Sequence, residues 1–261
     1  MMESVMAGRL FSLLDVAPTI ASVLGIDLSK TDGHSIVVVE KWGCRNVVLI
    51  IIDSLGYDLY QWLEPQLESI PALARDGLLL RAETVSNHTT PAIATILSGL
   101  LPEHHGILDK AGAKESSTIS IPEIASASGL KTAVIMEQNG ADVYQGLIEI
   151  TGGIPDSISP EDFDYEVCRM TLQAIAQRPR LLVAYFIGID KSVHLGRGPK
   201  EIKEAAQIID RCVGKILCAA EEQTLFIICG DHPIHAGGLR RIKGPFAVAL
   251  ILGKSKEQDG E

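Results

Sequence analysis

The chain has 261 residues, with 33 acidic against 23 basic side chains and a formal net charge of −10, a length that suits one large α/β unit able to bury a sizeable core. No cluster of lysine or arginine is present to neutralise a row of phosphates, which excludes a nucleic acid polymer as partner. Five cysteines (Cys44, Cys168, Cys212, Cys218 and Cys229) lack CxxC spacing; their odd number excludes a complete disulfide framework and points to a reducing cytoplasm.

The opening stretch, MMESVMAGRLFSLLDVAPTIASVLGI, has the outline of a signal peptide because an arginine precedes apolar residues. Asp15 and Pro18 interrupt the run, however, and it falls short of the ~20 residues needed to cross a bilayer. No other segment reads as transmembrane, so no membrane is expected as partner. Short apolar runs then alternate with longer amphipathic stretches, the pattern of a largely parallel central sheet flanked by helices in a three-layer α/β sandwich. Buried strands are expected at Val47–Ile52, Thr132–Met136, Leu181–Ile187, Thr224–Cys229 and Phe246–Leu252. Ser159, Pro160, Glu161 and Asp162 supply a cap, a first-turn proline and acids that suit the helix dipole, so a helix is expected to run to about Gln177. Ile202, Ala205, Ala206, Ile209, Val213, Ile216 and Leu217 share one face at helical spacing, which predicts a helix over about 200–220. Only the closing residues, KSKEQDGE, read as a solvated tail.

Three of these strands run directly into residues that can ligate metals. Asp53 follows VVLIII, Asp190 follows LLVAYFIGI, and Asp231 with His232 follows TLFIICG. In open α/β sheets ligands bind beyond the carboxyl ends of the strands, so acids placed there can converge on one point. Singly, each has a plainer reading: Asp53 in IIDSLG also suits a helix cap or a ribose-binding acid, and an aspartate-histidine pair after a strand also suits a turn. Asp190 and His194 (DKSVH) lie on one side of a single turn and can reach a common ion. Carboxylate and imidazole ligands without a cysteine partner suit a catalytic zinc or manganese rather than a closed structural zinc. In SNHTTPAIATILSG, Pro91 fits the first helical position and Thr90 the cap, leaving Thr89 in the preceding loop with a free hydroxyl. A helix N-terminus there favours an anionic phosphoryl group. A threonine hydroxyl needs a base or a metal to become a nucleophile.

With these residues assembled, the chain resembles the alkaline phosphatase superfamily and, within it, the nucleotide pyrophosphatase/phosphodiesterase branch. The resemblance extends over Asn46–Leu252. It rests on Asp53, on TTPAIATILSGLLPEHHGI (Thr89–Ile107), on DKSVHLGRGP (Asp190–Pro199) and on GDH (Gly230–His232). The resemblance implies one metal held by Asp190, His194 and a further histidine, and a second held by Asp53, Asp231 and His232. His235 is assigned as that further histidine, although it lies closer to His232 than is usual in the family. Thr89 would lie between the two divalent ions, zinc or alternatively manganese, and would attack phosphorus to form a phosphothreonine that water then hydrolyses. The implied substrate is a small-molecule phosphate mono- or diester.

Two further departures bear on this expectation. Ala92 stands where phosphodiesterase relatives carry an asparagine that holds a phosphoryl oxygen, with Arg240, Arg241 and Lys243 as candidate substitutes. The segment DVAPTIASVLGID followed by DGHSI (Asp15–Ile36) resembles the part that closes these folds at the C-terminus, and GPFAVALILG (Gly244–Gly253) resembles the strand before it. The chain therefore reads as one catalytic domain over 1–261, circularly permuted so that residues 1–40 correspond to the usual C-terminal segment, a rearrangement tolerated where termini lie close together at the surface. Alternatives in view are phosphoryl transfer within one substrate, as in the related cofactor-independent phosphoglycerate mutases, and a non-catalytic metal-binding domain. Sulfatases of this fold need a cysteine or serine that becomes formylglycine, which Thr89 cannot supply. The missing cap over so small a site raises a homo-oligomer as the source of further substrate contacts.

Overall fold

The computed structural model describes residues 10–28, 30–235 and 246–255. Arg240, Arg241 and Lys243, part of the Gly244–Gly253 run, and most of the closing tail lie outside the described residues. Eight strands form one sheet: β1 (Phe11–Ser12), β2 (Asn46–Ile52), β3 (Leu78–Glu83), β4 (Thr132–Glu137), β5 (Ile150–Ile154), β6 (Leu181–Phe186), β7 (Thr224–Gly230) and β8 (Ala247–Lys254). Their order is β1-β3-β8-β7-β2-β6-β4-β5. Every pairing is parallel except those of β8, which runs antiparallel to both β3 and β7.

The central strands are where the sequence puts them because an unbroken run of branched apolar residues is stable only when helices cover both faces of the sheet. In β2 every residue from Val47 to Ile52 is buried, and in β6 and β7 every residue is. The strands that the sequence pattern does not signal are peripheral or interrupted. In β3, Arg81 and Glu83 break the apolar run, while β5 contains two adjacent glycines (ITGGI), which weaken strand propensity. The last strand extends further than expected. Lys254 belongs to β8, and Ser255 is buried, with its Oγ accepting from the Thr224 amide at 3.1 Å.

Six of the helices that flank the sheet bear on the site: α1 (Val16–Leu24), α2 (Thr89–Ser98), α3 (Gln138–Tyr144), α4 (Pro160–Ile175), α5 (Gly188–His194) and α6 (Pro199–Ala219). Ser159 caps α4, its Oγ accepting from the Asp162 amide at 3.1 Å. In α6 the stripe Ile202, Ala205, Ala206, Ile209, Val213 and Ile216 is buried, and α6 packs against α4 and α5. The buried apolar side chains of sheet and helices form one contiguous cluster.

The turn leaving β2 lies against the end of β7. At Gly230 a Cβ would sit 2.2 Å from the backbone oxygen of Leu55, so only a hydrogen fits between the two chain segments. Gly230→Ala is expected to destabilise the protein by about 2 kcal/mol through overpacking against rigid backbone, measurable as a lowered urea midpoint.

Candidate active site

The sheet register brings the site together. Ile52, the last residue of β2, pairs with Gly230 on one side and Phe186 on the other. Asp53 and Asp231 therefore leave the sheet side by side, and α5, which carries Asp190 and His194, starts beside them. Asp53 is fixed by its own amide, which donates to Phe186 O at 2.9 Å. Asp53, Asp231 and His232 are all buried. Two sets of donor atoms result: Asp53, Asp231 and His232, and beside them Asp190, His194 and His235. Within each set the atoms lie within 4.8 Å of one another.

Ser54 ties the two sets together. Its backbone adopts φ 66°, a left-handed conformation that costs a non-glycine residue about 1 kcal/mol or more. In that conformation the Ser54 amide donates to Asp231 Oδ1 at 3.0 Å, and the hydroxyl donates to Asp190 Oδ1 at 2.7 Å. Asp231 Oδ1 also accepts from the His232 amide at 2.8 Å, and Thr84 Oγ1 donates to Asp231 O at 2.6 Å. Tyr185, which points from β6, donates its phenol to Asp53 Oδ2. The His232 Nδ1 lies 3.1 Å from Pro233 O; with a proton on Nδ1 donated to that carbonyl, Nε2 keeps its lone pair.

That Nε2 faces Asp53 Oδ1 and Asp231 Oδ2, each at 3.4 Å, and Thr89 Oγ1 at 3.1 Å. Asp53 Oδ1 and Asp231 Oδ2 are buried without any hydrogen-bond partner, as is His235 Nδ1. Buried carboxylate oxygens are seldom left unpaired, and two such oxygens converging with an imidazole lone pair fit a divalent cation. The second set, one carboxylate and two imidazoles, has the donor chemistry of zinc. His194 Nε2 is 3.4 Å from Asp190 Oδ2, and the His235 ring lies 5.2 Å from that of His194 and 4.9 Å from that of His232, centroid to centroid.

Thr89 is the first residue of α2, with His88 in extended conformation as the N-cap. This corrects the sequence expectation that Thr90 caps and Thr89 precedes the helix. Pro91 is tolerated one turn in because the first amides of a helix have no carbonyl to donate to. No side chain caps α2, so the Thr89 hydroxyl is spent on His232 rather than on its own backbone. Ala92, at the position of the missing asparagine, is fully buried. In the turn after α2, His105 is buried, accepting from the Ile107 amide at 2.9 Å and bonding Thr95 at 3.2 Å; it anchors the turn.

The electrostatics follow from burial. Desolvation first, then the carboxylates of Asp231 and Asp190, push Asp53 well above the ordinary carboxylate range. Burial pushes Asp231 up to about 7 although the Ser54 and His232 amides oppose the shift. Burial, then Asp53, also raises the Tyr185 phenol, which stays protonated and available to donate. Burial, reinforced by His232, lowers His235 and favours the neutral imidazole that a metal requires.

The sequence reading missed Ser54, Thr84, Tyr185 and Asp164, which lie among or beneath the candidate ligands. Asp164, in α4, is buried and its Oδ1 accepts from the Ile187 and Gly188 amides at 3.1 and 3.2 Å. It thereby caps α5 from below, and a side chain at Gly188 would collide with its Oδ2 at 2.0 Å. Burial raises the Asp164 carboxyl to about 8 against the opposing pull of those two amides. The only sequence signal for Asp164 was its place among apolar residues of an otherwise amphipathic helix.

Comparisons with known proteins agree with this architecture. The family model described as sulfatase matches residues 45–157, and that described as type I phosphodiesterase / nucleotide pyrophosphatase matches residues 128–240. Each of these models covers less than half of the chain, and together they extend over residues 45–240. Among solved structures, a 2-O GAG sulfatase superposes with a TM-score of 0.63 at 13% identity, covering 81% of this chain and 65% of the sulfatase. Phosphonoacetate hydrolase from Sinorhizobium meliloti 1021 gives 0.60 at 13% identity, covering 72% and 56%. In sequence, the chain is 25% identical over 227 residues to GPI ethanolamine phosphate transferase 2 of Aspergillus fumigatus, covering 79% of this chain. It spans 29% of that relative's length. Among the described residues no helix is long and apolar enough to cross a membrane.

The raised carboxyls give a signed pH dependence. A carboxyl that holds its proton more tightly when folded contributes stability below its unfolded pKa, near 4, and loses it as pH rises to the folded value. For the chelator-treated protein the contributions of Asp231 and Asp164 should therefore fall away between about pH 4 and about pH 8. Asp164→Asn removes one titration. Its stability relative to wild type should improve as pH rises from about 5 to about 8 in urea unfolding, and a pH-independent difference would contradict the assignment.

Proposed function

We propose that this protein is a metal-dependent hydrolase of phosphate mono- or diesters that uses Thr89 as nucleophile. The observation that carries the reading is the convergence of two unpaired buried carboxylate oxygens and the His232 Nε2 on the side of the Thr89 hydroxyl. Asp53, Asp231 and His232 would hold one divalent ion, and Asp190, His194 and His235 the other; zinc best suits the second set. When bound, the ions supply neutralisation of the carboxylates and stabilisation of the charge on the attacking and leaving oxygens.

The chain's own residues do the rest. Thr89 Oγ1 attacks phosphorus, the P–O bond to the alcohol breaks, the departing alkoxide takes up the proton that the hydroxyl gives to solvent, and a phosphothreonine remains. Water then cleaves the new P–O bond and restores the hydroxyl. Tyr185 and Ser54 hold Asp53 and Asp190 in fixed orientation, and Asp164 holds the helix carrying Asp190 and His194. Transfer to an alcohol in place of water uses the same residues. The 25% identity to a phosphate transferase makes that the second reading.

The proposal of circular permutation rests on where residues 11–36 lie. Strand β1 pairs with β3, α1 packs against α2, and the Asp32 amide donates to Gly99 O at 2.8 Å. Asp32 Oδ2 accepts from the Leu101 amide at 2.8 Å. The segment thus braces the C-terminal end of the nucleophile helix, as an integral closing segment of the fold would.

Metal-reconstituted protein is expected to turn over p-nitrophenyl phosphate or bis-p-nitrophenyl phosphate, and Thr89→Ala to lose that activity. Binding of two ions without turnover of either ester would turn the reading towards transfer or plain metal binding. Ser54→Ala and Ser54→Gly both remove the hydroxyl, whereas only the glycine relieves the left-handed strain. Both should weaken ion binding at the Asp190 set about tenfold in calorimetric titration, with Ser54→Gly the more stable protein. Undiminished ion binding in Ser54→Gly would reduce Ser54 to a turn residue.

A further inference from the structure

A cavity of about 460 Å³ opens directly from the candidate metal site. Asp53, Thr89, Asp190 and His194 line it, and so do Ile93 and Ala94, both half-buried, and the buried Leu97 along the flank of α2. Thr89 and Leu97 are eight residues apart, about 12 Å along a helix. Met136 near the end of β4, Val143 and Tyr144 from α3, and Ile187 also line it. A group bonded to a phosphorus at Thr89 has this channel as its continuation.

The charged side chains that line the channel are engaged within the protein, and Lys110 lies 3.8 Å from the lining carboxylate of Asp156. Lys110 Nζ donates to Glu137 at 2.7 Å, and Glu137 accepts further from the Asn139 side chain at 2.8 Å and the Gly140 amide at 2.9 Å. Lys191 Nζ donates to the carbonyls of Asp156 and Ile158. Glu123 accepts from the Ser120 amide at 2.8 Å and from its hydroxyl at 2.6 Å. A charged or polyhydroxyl group entering this space would lose hydration and compete with these internal partners, which is costly, whereas an apolar group gains from burial against the α2 and α3 side chains.

The geometry points to esters of an uncharged apolar alcohol, aryl or medium-chain alkyl, as the substrate class, with the organic group seated between α2 and α3. This inference rests on the phosphate ester reading above. Nonhydrolysable phosphonates separate the two. Methyl-, propyl-, pentyl-, phenyl- and 2-aminoethylphosphonate would be titrated calorimetrically into the ion-loaded protein. Affinity should rise about two- to fourfold per added methylene. Propylphosphonate should bind at least tenfold tighter than its near-isostere 2-aminoethylphosphonate. Val143→Phe, which narrows the channel, should flatten the chain-length dependence, and the wild-type series alone decides the matter should that variant not fold. Equal affinity across the alkyl series, or tighter binding of 2-aminoethylphosphonate, would overturn the apolar class while leaving the phosphate ester reading intact. Failure of every phosphonate, methylphosphonate included, to bind the loaded protein would bring down both.

Discussion

Asp53, Asp231 and Asp190 converge at the carboxyl ends of adjacent parallel strands, and their mutual repulsion in a buried place is what the surrounding structure must manage. Two full charges about 5 Å apart repel by roughly 3 kcal/mol at an effective dielectric of about 20, and desolvation adds to this. The protein offsets part of the cost with oriented donors: the amides of Ser54 and His232, the Ser54 hydroxyl and the Tyr185 phenol. What these leave uncovered are Asp53 Oδ1 and Asp231 Oδ2, the two oxygens that face His232 Nε2. A site that is electrostatically incomplete in this way is complementary to a cation.

The rigid sheet makes that incompleteness possible. Covered strands of branched residues in tight register hold Asp53 and Asp231 level with one another, so neither can move away to relieve repulsion. The left-handed Ser54 and the crowded Gly230 are consequences of the same close approach, since two chain segments turn out of the sheet within one residue of each other. Asp164 extends the support to the next shell. It is a buried acid outside both sets of candidate ligands, and it satisfies the helix start from which two of them project.

Helix α2 has two roles that run in opposite directions from Thr89. Its N-terminal turn presents the hydroxyl to His232, while its flank forms one wall of the apolar channel. The N-terminal segment around Asp32 braces its far end. Placement of the Thr89 hydroxyl and shape of the adjoining channel are therefore coupled through a single ten-residue element.

The amino-acid sequence by itself determined the central strands and the candidate ligands. An unbroken run such as VVLIII has one stable use, a strand covered on both faces, and an acid directly after it must emerge at the strand's carboxyl end. The helix capped by Ser159 and the uncapped helix over about 200–220 were equally legible, because cap chemistry and 3.6-residue periodicity are local. Only the tertiary structure decided which strands are neighbours, and hence that Asp231 meets Asp53 while His235 joins Asp190 and His194. It also decided that His88 rather than Thr90 caps α2. Ser54, Thr84, Tyr185 and Asp164 acquire their roles from partners far away in the chain. Their residue types are common in turns, strands and helices, so no local pattern could mark them before folding supplied the partner.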